Sequence, residues 1–352
     1  MEHKVFRMGM LSKAKSEIYG LSIILIMLFH AGGTKSTYFA GIPGLEKIGK
    51  WITVHGSIGV EVFLLMSGIT LYFSYHKNQN TKEFIIRRLK RILPALFIIF
   101  GPYWFFLLGK GEINIMEVCL NFLNLNFWIF GRKQVWFISL ILVLYVLYPF
   151  IYRFLFQNEK NSIFRLLILL EAAVLLNLLL NYFVHGWYDG VGIGLTRIPI
   201  FLFGCWLGKY VYEDYRFSSY MWIVLLLQFM ISLFLLKTAV YNGLGRRALY
   251  FALGIPLAFL FAYLGSINIK AWRRILSVFG GLSLELYLAH IMIRALYRLD
   301  FLFFSYKKGQ ISRYLFVLLL AFILAFVISK IEKFIFKGKQ RRKYNDTGVT
   351  TR

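Results

Sequence analysis

The sequence is poor in charge, in acid and in proline. Only 16% of its 352 residues are charged, against 59% hydrophobic and 19% aromatic, and a water-facing surface cannot be built from that mixture. Lipid must be the solvent around most of the chain. Acidic residues number 16 against 41 Lys and Arg, a formal net charge of +25. In a soluble protein such an excess points to nucleic acid. Here the basic residues sit in short clusters between apolar runs, where lipid phosphates account for them, and no nucleic-acid partner is expected. Six prolines, no Ser/Gly-rich stretch and no internal repeat leave no linker, so one domain is expected. The two cysteines, Cys119 and Cys205, both lie in apolar segments, which supports neither a disulfide framework nor a cysteine metal site. No metal is expected.

What is present is a succession of apolar runs. The first, from Ile18 to Gly33, lacks a small-residue cleavage pattern and reads as a membrane helix rather than a signal peptide. A bilayer core of about 30 Å needs roughly 20 apolar residues per helix. The expected fold is therefore all-α: a polytopic integral membrane protein of about ten transmembrane helices, near 17–33, 57–75, 93–109, 135–156, 163–184, 196–212, 219–238, 247–264, 275–293 and 312–334. Ile115 to Phe130 is short and carries Glu117, Asn121, Asn124 and Asn126, so it reads as a re-entrant or interfacial helix. This divides the chain into an N-terminus over 1–16, a membrane domain over 17–334 and a basic tail over 335–352. Lys and Arg are about twice as abundant in the N-terminus, the tail and the loops sharing their side as in the opposite loops, which predicts a multi-pass protein with both termini cytoplasmic.

Ionisable groups inside a membrane are costly and mark function by default. At about 1.5 Å per residue, His30 lies roughly 20 Å along an outward-running helix. His290 reaches a similar depth on another, while Glu61, Trp136 and Arg197 stand near the starts of three inward-running helices. All five arrive in the outer third, with Glu285 one to two turns below His290. Taken singly each has an ordinary reading: a packing histidine, an aromatic-belt tryptophan, a snorkelling arginine. Their shared depth favours a site, and a histidine oriented by a carboxylate, His30 with Glu61, is a general base for a hydroxyl. On the other face, KNQNTKEFIIRRLKRILP sets Arg87, Arg88, Lys90 and Arg91 beside the membrane, with Pro94 opening the next span. Arg88 and Arg91 share a helical face, and guanidinium forks bind phosphate bidentately. A solvated positive-inside cluster touching lipid is the competing reading.

At these residues the chain resembles the acyltransferase-3 family of membrane enzymes that acylate surface carbohydrates and related acceptors. The resemblance runs from about Ser16 to Ile331. It is carried by EIYGLSIILIMLFH ending at His30; GSIGVEVFLLMSG with Gly59, Glu61, Phe63, Ser67 and Gly68; RRLKRILP with Arg88, Arg91 and Pro94; and VWFISLILVLYVLYP with Trp136, Ser139, Tyr145 and Pro149. RIPIFLFGCWLG with Arg197, Pro199, Phe201 and Gly204, and GGLSLELYLAH with Ser283, Glu285, Tyr287 and His290, complete the series. One position departs: many members carry an arginine eleven residues before the catalytic histidine, where this chain has Tyr19.

The resemblance implies acetyl-CoA as acyl donor, with Arg87, Arg88 and Arg91 near its phosphates. It implies His30 as the catalytic base with Glu61, and Trp136, Arg197, Glu285, Tyr287 and His290 as residues for the substrate or the oxyanion. The acceptor implied is a hydroxyl of a cell-surface or lipid-linked glycan at the cell membrane, reached directly or through an acyl-histidine. The chain ends soon after the last apolar run, without the hydrolase-like domain of some relatives, so transfer is expected within the membrane domain or with a separate partner. A secondary transporter and a non-catalytic sensor or anchor on the same fold are the alternatives.

Overall fold

The computed structural model describes residues 5–31, 45–238, 243–298 and 311–347. Residues 1–4, 32–44, 239–242, 299–310 and 348–352, which take in part of the predicted 34–56 loop, and the side chains of the basic tail lie outside the described residues. The described chain is almost wholly helical. Strand β1 (Phe6–Arg7) and helix α1 (Met10–Lys13) precede α2 (Lys15–Ala31), α3 (Leu45–His55) and α4 (Gly59–His76). Then come α5 (Thr81–Gly109), α6 (Ile115–Phe122), α7 (Asn126–Phe130), α8 (Trp136–Phe156), α9 (Ser162–Phe183), α10 (His185–Leu195) and α11 (Ile198–Tyr212). Strand β2 (Arg216–Phe217), α12 (Tyr220–Thr238), α13 (Leu244–Gly265), α14 (Lys270–Gly281), α15 (Ser283–Arg298) and α16 (Ile311–Thr347) complete it. β1 pairs antiparallel with β2, Phe6 opposite Phe217.

Among the described residues, 7 helices are long and apolar enough to cross a membrane, or up to 8 if the bent pair α14–α15 is one span. The sequence pattern counts about ten because it includes α2, which has 17 residues, and α16. The outward surface suits lipid: on α9 and α12 Leu175, Leu178, Ile223, Leu226 and Ile231 are all exposed, a belt that water would not tolerate.

Three boundaries differ from the sequence reading. α5 does not open at Pro94. Asn80 caps it, its side chain accepting from the Glu83 amide at 3.1 Å, so the helix takes in the whole basic segment and carries Pro94 and Pro102 internally. The expected span 275–293 is two helices bent by 66°, because Gly280 and Gly281 weaken the helix just before Leu282. α16 continues past residue 334 to Thr347.

Helices α4 and α11 run side by side in the same direction on a seam of small residues. A Cβ on Gly68 would come within 2.5 Å of the Phe201 carbonyl, and one on Gly204 would strike the Leu65 carbonyl. Only glycine permits that approach. Glu61 lies seven residues before Gly68, and Arg197 lies seven before Gly204, about two turns in each case. The seam therefore holds Glu61 against Arg197.

Candidate active site

His30 ends α2, and its Nδ1 lies 3.0 Å from Nε2 of His290 on α15. His290 Nδ1 lies 2.8 Å from the Leu286 carbonyl oxygen. A carbonyl only accepts, so His290 Nδ1 carries a proton and donates it. A neutral His290 then has its lone pair on Nε2 and accepts from His30 Nδ1–H. That chain fixes the tautomer of a neutral His30, whose unprotonated nitrogen is Nε2. His290 is 1% exposed, which holds it in this neutral, orienting role.

Glu61 does not orient His30 as the sequence suggested. Its Oε1 lies 3.0 Å from Arg197 Nε and 3.6 Å from Arg247 Nη1. The first contact is close but misaligned, leaving both Glu61 oxygens and Arg197 Nε without a hydrogen bond among the described residues. Arg197 also donates from Nη1 to the Ile193 carbonyl at 2.6 Å and sits 4.9 Å from the Trp136 ring. His30, Trp136, Arg197 and Tyr287 line one chamber of about 650 Å³ together with Lys133, Arg247 and Arg294.

A second cavity of about 340 Å³ adjoins it. Ile26, Val60 and Tyr287 line both cavities and so form a shared waist. Beyond the waist the second cavity runs past Tyr19, Phe63, Phe137 and Tyr145 to Lys15 and Arg91. Tyr19, at the departure from the family pattern, is stacked on Phe63 with ring centroids 5.1 Å apart.

The basic segment divides into three roles. Arg87 is exposed and pairs with Glu83. The Arg88 guanidinium lies 5.3 Å from the Phe84 ring and 5.8 Å from Tyr145, lining neither cavity. Arg91 lines the second cavity and is tied to Glu285 at 2.7 and 3.4 Å. Glu285, expected one to two turns below His290 and grouped with the substrate or oxyanion residues, therefore belongs to the Arg91 end. The sequence reading passed over Lys15, Lys133, Arg247 and Arg294. Lys15 stands one turn before Tyr19 on the same face of α2, a spacing that was legible. The other three were counted as loop charge. No cluster of three or more possible metal ligands occurs among the described residues.

The profile of a family described as an acyltransferase domain matches residues 20–330, most of the chain, including His30, Glu61, Trp136, Arg197 and His290. The chain belongs to that family. Among curated relatives of this acyltransferase-family chain, O-acetyltransferase OatA of Staphylococcus aureus (strain NCTC 8325 / PS 47) is 27% identical over 205 residues, 48% of this chain and 34% of that protein. Nodulation protein 10 of Rhizobium leguminosarum bv. viciae is 27% identical over 90 residues, 25% of this chain and 24% of that protein. The chain thus covers about a third of the length of the OatA relatives it matches. No solved structure matches.

Proposed function

We propose that this protein is a membrane O-acyltransferase that moves an acetyl group from cytoplasmic acetyl-CoA to a hydroxyl of a cell-surface or lipid-linked glycan. The observation that carries the reading is the Leu286–His290–His30 hydrogen-bond chain, which aims a basic nitrogen into a chamber joined to a cavity with a cationic end. The family membership and the printed name of the OatA relative support the same chemistry.

In this reading Lys15 and Arg91 meet the donor's phosphates, and the pantetheine arm follows the aromatic wall to the waist at Ile26, Val60 and Tyr287. His30 Nε2 removes the proton of the acceptor hydroxyl, and the oxygen attacks the thioester carbonyl. Arg197 stabilises the resulting oxyanion from a site where water is scarce. The intermediate collapses by breaking its carbon–sulfur bond, and the thiolate recovers the proton from His30. The ester and free CoA balance the step.

Purified protein given labelled acetyl-CoA and a glycan acceptor should form labelled ester. His30→Ala should lose about 10²–10⁴ of that rate while still inserting and folding. Retention of more than a small fraction of the activity by the variant would place the base elsewhere, and absence of any ester from the parent protein would remove the reading.

A further inference from the structure

Among the described residues, the chamber around His30 holds more positive charge than its carboxylates compensate. Its described lining includes Lys133, Arg197 and Arg247, and no aspartate or glutamate. Behind the lining, one carboxylate, Glu61, is shared between Arg197 and Arg247. Arg197 is 3% exposed and Glu61 2%, and the Arg247 side chain, 25% exposed, shares the same acid, so a nearly dry arginine has only part of one carboxylate, an arrangement that is costly unless something completes it. The bonding is incomplete too: Arg197 Nε and Arg247 Nη1 are buried without a hydrogen-bond partner among the described residues. Lys133, exposed at the rim, has no ion pair among the described residues either.

A transition-state oxyanion does not answer this, because it is transient and the surplus charge exists in the resting protein. The matching anion must arrive with a substrate and stay while it is bound. Of the two substrates, the donor brings only its neutral pantetheine end past the waist. We infer that the acceptor is an anionic sugar, one bearing a carboxylate or phosphate close to the hydroxyl that is acylated. The inference rests on the acyl-transfer reading for the word acceptor, and on the charge balance alone for the anion. Arg197 and Arg247 supply guanidinium edges suited to a carboxylate or phosphate, and Lys133 draws the same charge in from the rim. Two places offer the same chemistry for that charge: the sugar ring, or the anomeric link that a lipid carrier occupies.

Full-length protein in neutral-lipid nanodiscs should be offered methyl glucoside, methyl glucuronide and glucose 1-phosphate, with binding read as thermal stabilisation and transfer read from labelled acetyl-CoA. At least one anionic sugar should exceed methyl glucoside by about tenfold in kcat/KM, and the one that does so locates the charge on the ring or at the link. Arg247→Gln should collapse that ratio towards unity, and salt should narrow it. Three sugars served alike would overturn the inference while leaving acyl transfer intact. So would an Arg247→Gln variant that slows all three equally, because Arg247 would then serve the reaction and not the anion. Stabilisation by the anionic sugars alone, with no label transferred to any, would keep the anion site and defeat the acyl-transfer reading. Neither binding nor transfer would defeat both.

Discussion

Two arginine–carboxylate pairs stand one beside each cavity, Arg197–Glu61 at the His30 chamber and Arg91–Glu285 at the second cavity. Their side chains are 2% and 2% exposed in the first and 48% and 2% in the second. In the sealed pair two arginines share one acid, Arg247 being the second. In the open pair one arginine meets two acids, Glu285 and Glu332 at 3.5 Å. The sealed end has two arginines for one acid, whereas the open end gives Arg91 two acids. An acceptor anion completes the first, whereas at the second a phosphate must compete with carboxylates for Arg91, and Lys15 supplies cationic help with no carboxylate of its own.

Removing one carboxylate from each pair is the strongest way to test that contrast. Glu61→Gln strands buried guanidinium charge and should lower stability by about 3–5 kcal/mol, read as detergent-resistant thermal unfolding. Glu285→Gln should cost no more than about 1 kcal/mol, since Arg91 keeps water and Glu332. Equal losses would erase the distinction between the two ends.

A smaller effect belongs to the histidine pair. His290→Ala should reduce kcat by about 10²-fold through loss of orientation, with the donor KM little changed. His290→Gln, whose amide oxygen accepts from His30 Nδ1, should recover much of it. A Gln variant as slow as the Ala variant would mean that His290 acts by something other than holding the His30 tautomer.

At the open mouth, Arg91→Lys and Lys15→Ala should each weaken acetyl-CoA binding by about tenfold, measured by titration. Arg87→Ala should change neither binding nor stability by more than about 0.5 kcal/mol, because its partner Glu83 is exposed on the same helix. An Arg87 variant that weakens the donor as much as the Arg91 variant would restore the undivided basic cluster read from sequence.

The parts of this site that sequence disclosed were those governed by one coordinate. Depth along a helix brought His30, His290, Trp136 and Arg197 to one level, and the structure sets His30, Trp136 and Arg197 on one chamber with His290 bonded to His30. Depth says nothing about the direction a side chain takes around its helix. Glu285 and His290 are five residues apart and so diverge by about 140° around α15, which sends one to Arg91 and the other to His30. The same missing angle hid Glu61's partner, which is set by the glycine seam of α4 and α11 and not by the chemical need of His30 for a carboxylate. Fold class was plain from apolar run length, while the break at Leu282 and the long α5 depended on local signals, Gly280–Gly281 and the Asn80-to-Glu83 cap, that a hydropathy ruler averages away.

If the two cavities form one path with His30 at its far end, a structure with a non-hydrolysable acetyl-CoA analogue bound will show it most directly. Phosphates are expected between Lys15 and Arg91, the pantetheine arm along Tyr19 and Tyr145, and the acyl group past Ile26 and Val60 facing His30 Nε2. An analogue lodged outside these cavities, or one whose acyl group stops short of the waist, would contradict it.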